Sequence, residues 1–288
     1  MTTATPAYPP PPSCKGVYPF RLGTTSFIYP DDYIPNVLVL GPCVDEIELL
    51  MFESRWPDSL PAKETVDALA ALSTETGTGY NIHLPTDVSL ASDDPAERGR
   101  AAKVLGRFIA ATAPLSPSAY ALHLPVEGDP ARPEGGRRWR ANAARGIEAL
   151  LACGIQSDRL AVETLDYPFS RVEPLIEAFG LSICMDIGHL ILHGVDPRAF
   201  FHRHRERIPL IHLHGVRQQK EPSPAGGVCS GRDHVGLDET APEHLSGILE
   251  ILNTFEGVVS LEVFSHGHLV RSLGVLEAWR RRREDGKR

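Results

Sequence analysis

The 288-residue chain has few of the features that mark secreted or membrane proteins. It holds no apolar run of the ~18 residues that a bilayer-spanning helix needs, so we expect no membrane partner. Its first 16 residues have neither the charged nor the apolar segment of a signal peptide. The 5 cysteines show no CxxC spacing, which argues against a disulfide framework or a zinc ribbon. These absences predict a cytoplasmic protein with reduced thiols.

Positive charge is also scarce. The chain carries 29 Lys+Arg against 37 Asp+Glu, a formal net charge of -8, and no stretch that interleaves basic and aromatic residues. Surfaces that bind nucleic acid need clustered positive charge against the phosphates. We therefore expect no nucleic-acid partner. No helix face stands out as an interface stripe, so the sequence leaves the oligomeric state open.

Short apolar runs alternate with segments of helical pattern from residue 18 onward. The predicted strands cover residues 20–25, 44–51, 79–84, 118–124, 159–163, 181–186, 208–214 and 257–263. Strands that alternate with helices indicate the α/β class, and eight of them predict a (β/α)8 TIM barrel as a single domain over residues 18–288. A doubly wound open sheet is the alternative, but no GxGxxG follows the first strand. Residues 1–17, with prolines at positions 9–12, predict a flexible, disordered extension.

Ionisable side chains recur where the predicted strands end, which is where barrels of this kind keep their active sites. These residues are His83, His123, Glu163, Asp186, His189, His212 and Glu262. Each one alone has a structural explanation, such as a hydrogen-bonded core histidine or a carboxylate paired with a lysine. Together they would bury a costly cluster of like charges unless cations neutralise it. Imidazoles and carboxylates without thiolates favour zinc, manganese or iron as the divalent ion.

This constellation resembles the xylose isomerase-like barrel superfamily, which includes the apurinic endonucleases. The Glu, Asp, His, Glu set of its one-metal sugar isomerases and epimerases matches Glu163, Asp186, His212 and Glu262. The further positions that match its three-metal endonuclease branch are His83, His123, His189 and the pair Asp233 and His234. That branch usually spaces the pair Asp-x-His, whereas the two residues are adjacent here. The resemblance therefore leaves open whether Asp233 or only His234 binds metal.

The resemblance implies one to three divalent metal ions per chain. We expect Glu163 to bridge two ions and Glu262 to act as a neighbouring ligand or as a base. The expected ligand pairs are His83 with His123, Asp186 with His212, and His189 with His234. His214 shares the face of His212, and it either binds metal itself or orients a residue that does.

Five short segments carry a closer resemblance, to the cobamide-remodelling phosphodiesterases. They are residues 18–26, 35–37, 44–49, 186–189 and 232–238. The resemblance implies a small-molecule corrinoid substrate and hydrolysis of its nucleotide-loop phosphodiester, which frees the lower-ligand riboside in the cytoplasm of bacteria. Divalent ions ~3.5–4 Å apart suit this chemistry because they neutralise the phosphate, activate water and stabilise the leaving oxygen.

Four residues outside the expected metal set are candidates for substrate contact: Arg217, Arg232, His214 and Glu48. Arg217 and Arg232 fall within a long loop at residues 215–236 and could grip a phosphate, although a solvated loop charge is the alternative. Glu48 shares a strand face with Glu46, and this pair either binds substrate hydroxyls or lies in the barrel interior.

Three other functions remain open. A sugar (phosphate) isomerase or epimerase would need only the four-residue set and one ion. An abasic-site endonuclease would use the larger set, but the acidic chain argues against a DNA substrate. A non-catalytic carrier of corrinoid or metal is the third alternative, since one barrel fold hosts many functions.

Overall fold

A closed barrel of eight parallel strands forms the centre of the computed structural model, which describes residues 8–56, 59–126, 133–218 and 231–285. In chain order the strands are β1 (Arg21–Thr25), β2 (Glu46–Leu50), β3 (Gly79–His83), β4 (Tyr120–Leu122), β5 (Leu160–Glu163), β6 (Ser182–Asp186), β7 (Leu210–Leu213), β8 (Gly215–Gln218), β9 (Gly231–Val235) and β10 (Val258–Leu261). The order around the barrel is β1-β10-β7-β6-β5-β4-β3-β2. The predicted (β/α)8 TIM barrel is therefore confirmed.

Helices follow the barrel strands and surround them. They are α1 (Tyr33–Leu40), α2 (Lys63–Thr76), α3 (Pro95–Thr112), α4 (Pro133–Leu151), α5 (Glu173–Phe179), α6 (Ile187–Leu192), α7 (Pro197–His204), α8 (Pro242–Leu252) and α9 (His266–Asp285). Local signals set several of their ends: the Asp94 carboxylate accepts the Ala96 N–H where α3 begins, and Gly77 takes a φ of 68° where α2 ends. Within the described ranges, no helix combines the length and apolar character needed to cross a membrane.

Alternate side chains of the barrel strands face opposite sides of the sheet. Leu160 and Val162 of β5 belong to the large core between the strands and the helices. The alternating residue Ala161 belongs instead to a small separate cluster inside the barrel. That inner cluster consists of Ala119, Ala121, Ala161, Cys184, Leu210 and Val258. Next on this inner face, towards the carboxyl end of β5, comes Glu163.

Residues 8–17 of the predicted extension lie against the barrel. Tyr8 stacks on Tyr29 with ring centroids 4.6 Å apart, and the Cys14 N–H donates to the Cys43 carbonyl at 2.7 Å. The Lys15 ammonium donates to the carbonyls of Gly41 and Val44, each at 3.0 Å. These contacts satisfy carbonyls after α1 and differ from the disorder expected of this stretch. Residues 1–7 of the extension lie outside the described residues.

The region predicted as one long loop, residues 215–236, contains an antiparallel hairpin. Strands β8 and β9 form it outside the barrel, with Arg217 opposite Arg232. Residues 219–230 lie outside the part of the chain that the structure describes. The prediction missed the hairpin because both strands are short and polar and lack the alternating apolar pattern.

Candidate metal centre

Barrel alternation brings the predicted strand-end residues to a single rim. His83, Glu163 and Asp186 are the last residues of β3, β5 and β6. His123 directly follows β4, and Glu262 directly follows β10. His212 lies on β7 as the register partner of Asp186. The carboxyl ends of parallel strands share one end of a barrel, so residues far apart in sequence meet there.

The first cluster consists of His83, His123 and Glu163. Oε2 of Glu163 lies 3.3 Å from Nε2 of His83 and 3.1 Å from Nε2 of His123. Nδ1 of His83 lies 3.0 Å from the Leu84 carbonyl, so its proton can be donated there, leaving Nε2 directed at the carboxylate. One ligand atom from each of the three residues falls within 4.8 Å of the others, and the cluster could hold one cation.

The second cluster consists of Glu163, Asp186, His212 and Glu262, whose ligand atoms also lie within 4.8 Å of one another. Nδ1 of His212 is 3.4 Å from Oε2 of Glu163 and 3.3 Å from Oε2 of Glu262. Glu163 therefore belongs to both clusters, at the position from which it was predicted to bridge two ions.

Two atoms of the second cluster show that its donors fit a cation. Nδ1 of His212 and Oε2 of Glu262 are buried 3.3 Å apart, and within the described ranges neither makes a hydrogen bond of good geometry. Buried polar atoms without a partner are costly, whereas a divalent ion uses both an imidazole nitrogen and a carboxylate oxygen as ligands. The residues present therefore fit a divalent metal.

The third cluster consists of His189, His214 and His234. Nδ1 of His189 lies 3.0 Å from the Thr164 carbonyl, and Nδ1 of His234 lies 3.0 Å from the Glu262 carbonyl. Nε2 of each ring is therefore free to bind a metal ion. Asp233 is half-buried on β9 and belongs to none of the clusters found among the described residues. The structure thus brings His214, rather than Asp233, to the other two histidines.

Carboxylates and imidazoles in these clusters shift one another's pKa. Burial by itself would raise the pKa of the Glu163 carboxyl. The His123 and His212 imidazoles together outweigh this effect and hold the pKa well below its usual range. Burial lowers the pKa of His214, yet the neighbouring Asp186 carboxylate raises it to about 9. The balance keeps the carboxylates ionised at neutral pH, which suits them to a cation.

Glu48 lies beneath the rim, buried in the barrel interior. It is fully buried; its Oε1 lies 2.8 Å from Nε2 of His212, and its Oε2 accepts from the Ser260 hydroxyl at 2.6 Å. Because both oxygens are occupied by the protein, the predicted contact with substrate hydroxyls is replaced by a contact that turns Nδ1 of His212 towards the carboxylates. Glu46 lies in the barrel interior, as one alternative had it, but at the opposite end.

The two predicted phosphate-binding arginines are exposed on the hairpin. Arg217 of β8 pairs with the Glu239 carboxylate, and Arg232 of β9 lies across from it. Strand β9 also carries His234, so the arginines and the third cluster share one element.

Aromatic residues near the rim escaped the sequence analysis. Phe27, Trp56 and Phe264 follow β1, β2 and β10, and all three are exposed. The Phe264 ring lies 5.2 Å from the His234 ring, and the Phe52 ring lies 4.8 Å from the His83 ring. An aromatic residue close behind a strand-end ligand is a signal that could have found Phe264, which follows Glu262 by two positions. Strands β1 and β2 end in no candidate ligand, so that signal does not reach Phe27 or Trp56.

The chain is similar in sequence or in structure to enzymes that catalyse different reactions. A segment of 83 residues is 48% identical to inosose dehydratase of Lacticaseibacillus casei and covers 29% of this chain and 22% of that protein. The chain therefore spans only about a fifth of the length of this curated relative.

Solved structures share the fold over nearly the whole chain. A D-tagatose 3-epimerase-like protein has a TM-score of 0.67 at 14% identity, covering 93% of this chain and 100% of that one. Endonuclease IV from Thermus thermophilus has a TM-score of 0.67 at 19% identity, covering 90% of this chain and 98% of that one. The family model described as xylose isomerase-like TIM barrel matches residues 44–284. The chain belongs to the xylose isomerase-like TIM barrel family.

Proposed function

We propose that this protein is a metal-dependent phosphodiesterase that hydrolyses the nucleotide-loop phosphodiester of cobamides. The observation that carries the proposal is the continuity of the three clusters at one rim, with Glu163 common to the first two. A reaction that needs a single ion would leave His83, His123, His189 and His234 without a cation to bind. Attack on an anionic phosphate instead benefits from several positive centres.

Divalent ions bound at the clusters would supply charge neutralisation and a more acidic water. The chain's own residues set where this happens. Glu163 ties the first cluster to the second, and Glu48 fixes the ring of His212 from below. Oε2 of Glu262 is buried and makes no hydrogen bond of good geometry in the described part of the chain, so it would suit either a bound ion or the proton of an attacking water.

The rim also offers groups that suit a small anionic substrate with flat rings. Arg217 and Arg232 provide positive charge on the hairpin, and exposed Phe27, Trp56 and Phe264 provide aromatic faces on which a base can stack. The formal net charge of -8 argues for a small-molecule substrate rather than nucleic acid. The five segments that resemble cobamide-remodelling phosphodiesterases support a corrinoid.

A sugar isomerase or epimerase is the second candidate. The four-residue set that such enzymes use lies together in the second cluster. The fold similarity to a D-tagatose 3-epimerase-like protein is in keeping with this alternative. One bound ion and a carboxylate base would suffice for it.

Product analysis separates these functions. The purified protein, loaded with Zn²⁺, is incubated separately with a cobamide, an abasic-site DNA duplex and a ketose, and each mixture is resolved by chromatography. Release of the lower-ligand riboside is the expected result. Epimerised ketose or nicked DNA, with the cobamide intact, would overturn the proposal in favour of the corresponding alternative.

A further inference from the structure

We propose that His214 is a positioning residue that couples the second cluster to the third, rather than a metal ligand. This inference rests on the metal-dependent site of the proposed function but not on the identity of the substrate. Sequence analysis left both roles open for His214, and the contacts of its two ring nitrogens decide between them.

Both nitrogens of His214 are engaged by the protein. Nε2 lies 3.1 Å from Oδ2 and 3.2 Å from Oδ1 of Asp186, a residue of the second cluster. Nδ1 lies 3.0 Å from the backbone nitrogen of His234, a residue of the third. A backbone N–H can only donate, so Nδ1 accepts from it, and the ring proton lies on Nε2 and is donated to Asp186.

The Gly215 carbonyl lies 3.2 Å from the same Nδ1 and would favour the opposite tautomer. A proton on Nδ1 would, however, oppose the His234 N–H and leave Nε2 without a proton against a carboxylate. In the ring with one proton, the tautomer that carries it on Nε2 satisfies the two shorter partners at once. A second proton would lie on Nδ1 and be donated to the Gly215 carbonyl. In either state neither nitrogen of His214 is free to bind an ion.

The surroundings hold the ring in this orientation. His214 is fully buried, and a Cβ on Gly188 would overlap its Cε1 and lie 2.6 Å from each ring nitrogen. Only glycine therefore lets α6 approach the ring this closely. Gly188 directly precedes His189, and the Asp186 carboxylate accepts the His189 N–H where α6 begins. The ring of His214 thus lies against the same helix start that carries two ligands.

On its other side, His214 anchors a strained residue. His234 has a φ of 50°, a left-handed conformation that non-glycine residues rarely adopt. The bond from its N–H to His214 holds this conformation, which turns the His234 ring towards His189. His214 therefore fixes Asp186 on one side and His234 on the other.

Two conservative variants separate the two contacts. In His214→Gln, the amide can reach the place of Nε2 and still donate to Asp186. In His214→Asn, the shorter amide reaches the place of Nδ1 and can still accept from the His234 N–H. Zn²⁺ affinity is measured by competition with a chromophoric chelator, and bound zinc is counted by mass spectrometry.

We expect His214→Ala to weaken zinc at both the second and third clusters by ~10–100-fold, the usual effect of removing a residue that orients ligands. We expect His214→Gln to restore zinc affinity at the second cluster only and His214→Asn at the third cluster only. Gly188→Ala, which displaces the ring without removing it, should weaken both sites as His214→Ala does. Circular dichroism identifies any unfolded variant. The zinc affinities of the variants that fold then show whether His214 positions the ligands of both clusters.

Loss of one zinc ion from His214→Ala with unchanged affinity for the others would identify His214 as a simple ligand and overturn the inference. Unchanged affinities at every site would overturn it as well. Because zinc binding is measured without substrate, these outcomes do not depend on whether cobamide is hydrolysed. If the zinc affinities changed as expected but cobamide were not hydrolysed, only the proposed function would be overturned.

Discussion

The two ends of this barrel both bury carboxylates but neutralise them differently. At the amino end, Glu46 forms an ion pair with Arg21 at 2.6 Å, accepts from the Asn81 amide at 2.9 Å and accepts from the Ser118 hydroxyl. At the carboxyl end, the basic side chains that pair with Glu163 among the described residues are imidazoles alone. A guanidinium keeps its charge at all ordinary pH values, whereas an imidazole gives up its proton easily.

This difference distinguishes Glu46, a structural carboxylate, from Glu163, a candidate metal ligand. The guanidinium of Arg21 is fixed against Glu46, so that end of the barrel needs no further cation. At the rim, an imidazole that loses its proton can become a metal ligand, and a cation can then neutralise the carboxylates in its place. Buried negative charge alone therefore does not make a metal site. The type of positive partner decides it.

Matched removal of one carboxylate at each end should give the largest contrast. We expect Glu163→Gln to lower kcat/KM by about 10³-fold or more, because it removes a ligand shared by two clusters. We expect Glu46→Gln to leave activity nearly unchanged and to lower the free energy of unfolding by about 1 kcal/mol, because Arg21 is half-exposed and can be solvated. Steady-state kinetics and urea unfolding measure the two effects. Equal losses of activity in both variants would break the comparison.

Metal removal should affect one end only. We expect chelation to lower Tm by roughly 5–10 °C, since ions that bind only the folded protein stabilise it. Hydrogen exchange should rise at the carboxyl ends of β5, β7 and β10 and stay constant around Glu46. Scanning calorimetry and exchange mass spectrometry, before and after chelation, check this. Increased exchange spread evenly over both ends would show that the ions stabilise the barrel as a whole.

The residue beneath His212 should give a smaller effect. We expect Glu48→Ala to weaken the second cluster's zinc affinity by ~10–100-fold, because His212 would lose the partner that orients its ring. Glu48→Gln keeps an acceptor at Oε1 and should restore most of the affinity. Ser260→Ala removes only the contact to the other oxygen and serves as the control. A loss in Glu48→Gln as large as in Glu48→Ala would show that the charge, not the orientation, matters.

The exposed arginines of the hairpin should give the smallest effect. We expect Arg232→Ala to raise KM for an anionic substrate by roughly threefold to tenfold with kcat nearly constant, because exposed ionic contacts are weak. Arg145→Ala, at an exposed position of α4, removes the same charge far from the rim and is the matched control. Steady-state kinetics at two salt concentrations measures both. An equal rise in KM for Arg145→Ala would point to net charge instead of local binding.

Much of the fold and of the ligand set could be predicted because both depend on local pattern. The alternation of apolar strands with helices predicts the barrel, and the period of two along a strand decides which residues face inward. Residues such as Glu163 and Asp186 reach the rim simply because they end their strands. The resemblance supplied the remaining positions, with Asp233 as the one that the clusters leave out.

Tertiary structure alone decided the contacts between distant residues. Glu48 meets His212 although 164 positions separate them, because closing the barrel fixes the register between strands. His214 reaches both Asp186 and His234 only because a polar hairpin folds back over the rim and Gly188 leaves room for the ring. Sequence alone therefore determined which residues form the inner face and its rim. Barrel closure determined which of them come into contact with one another, since those distances are not encoded by any local pattern.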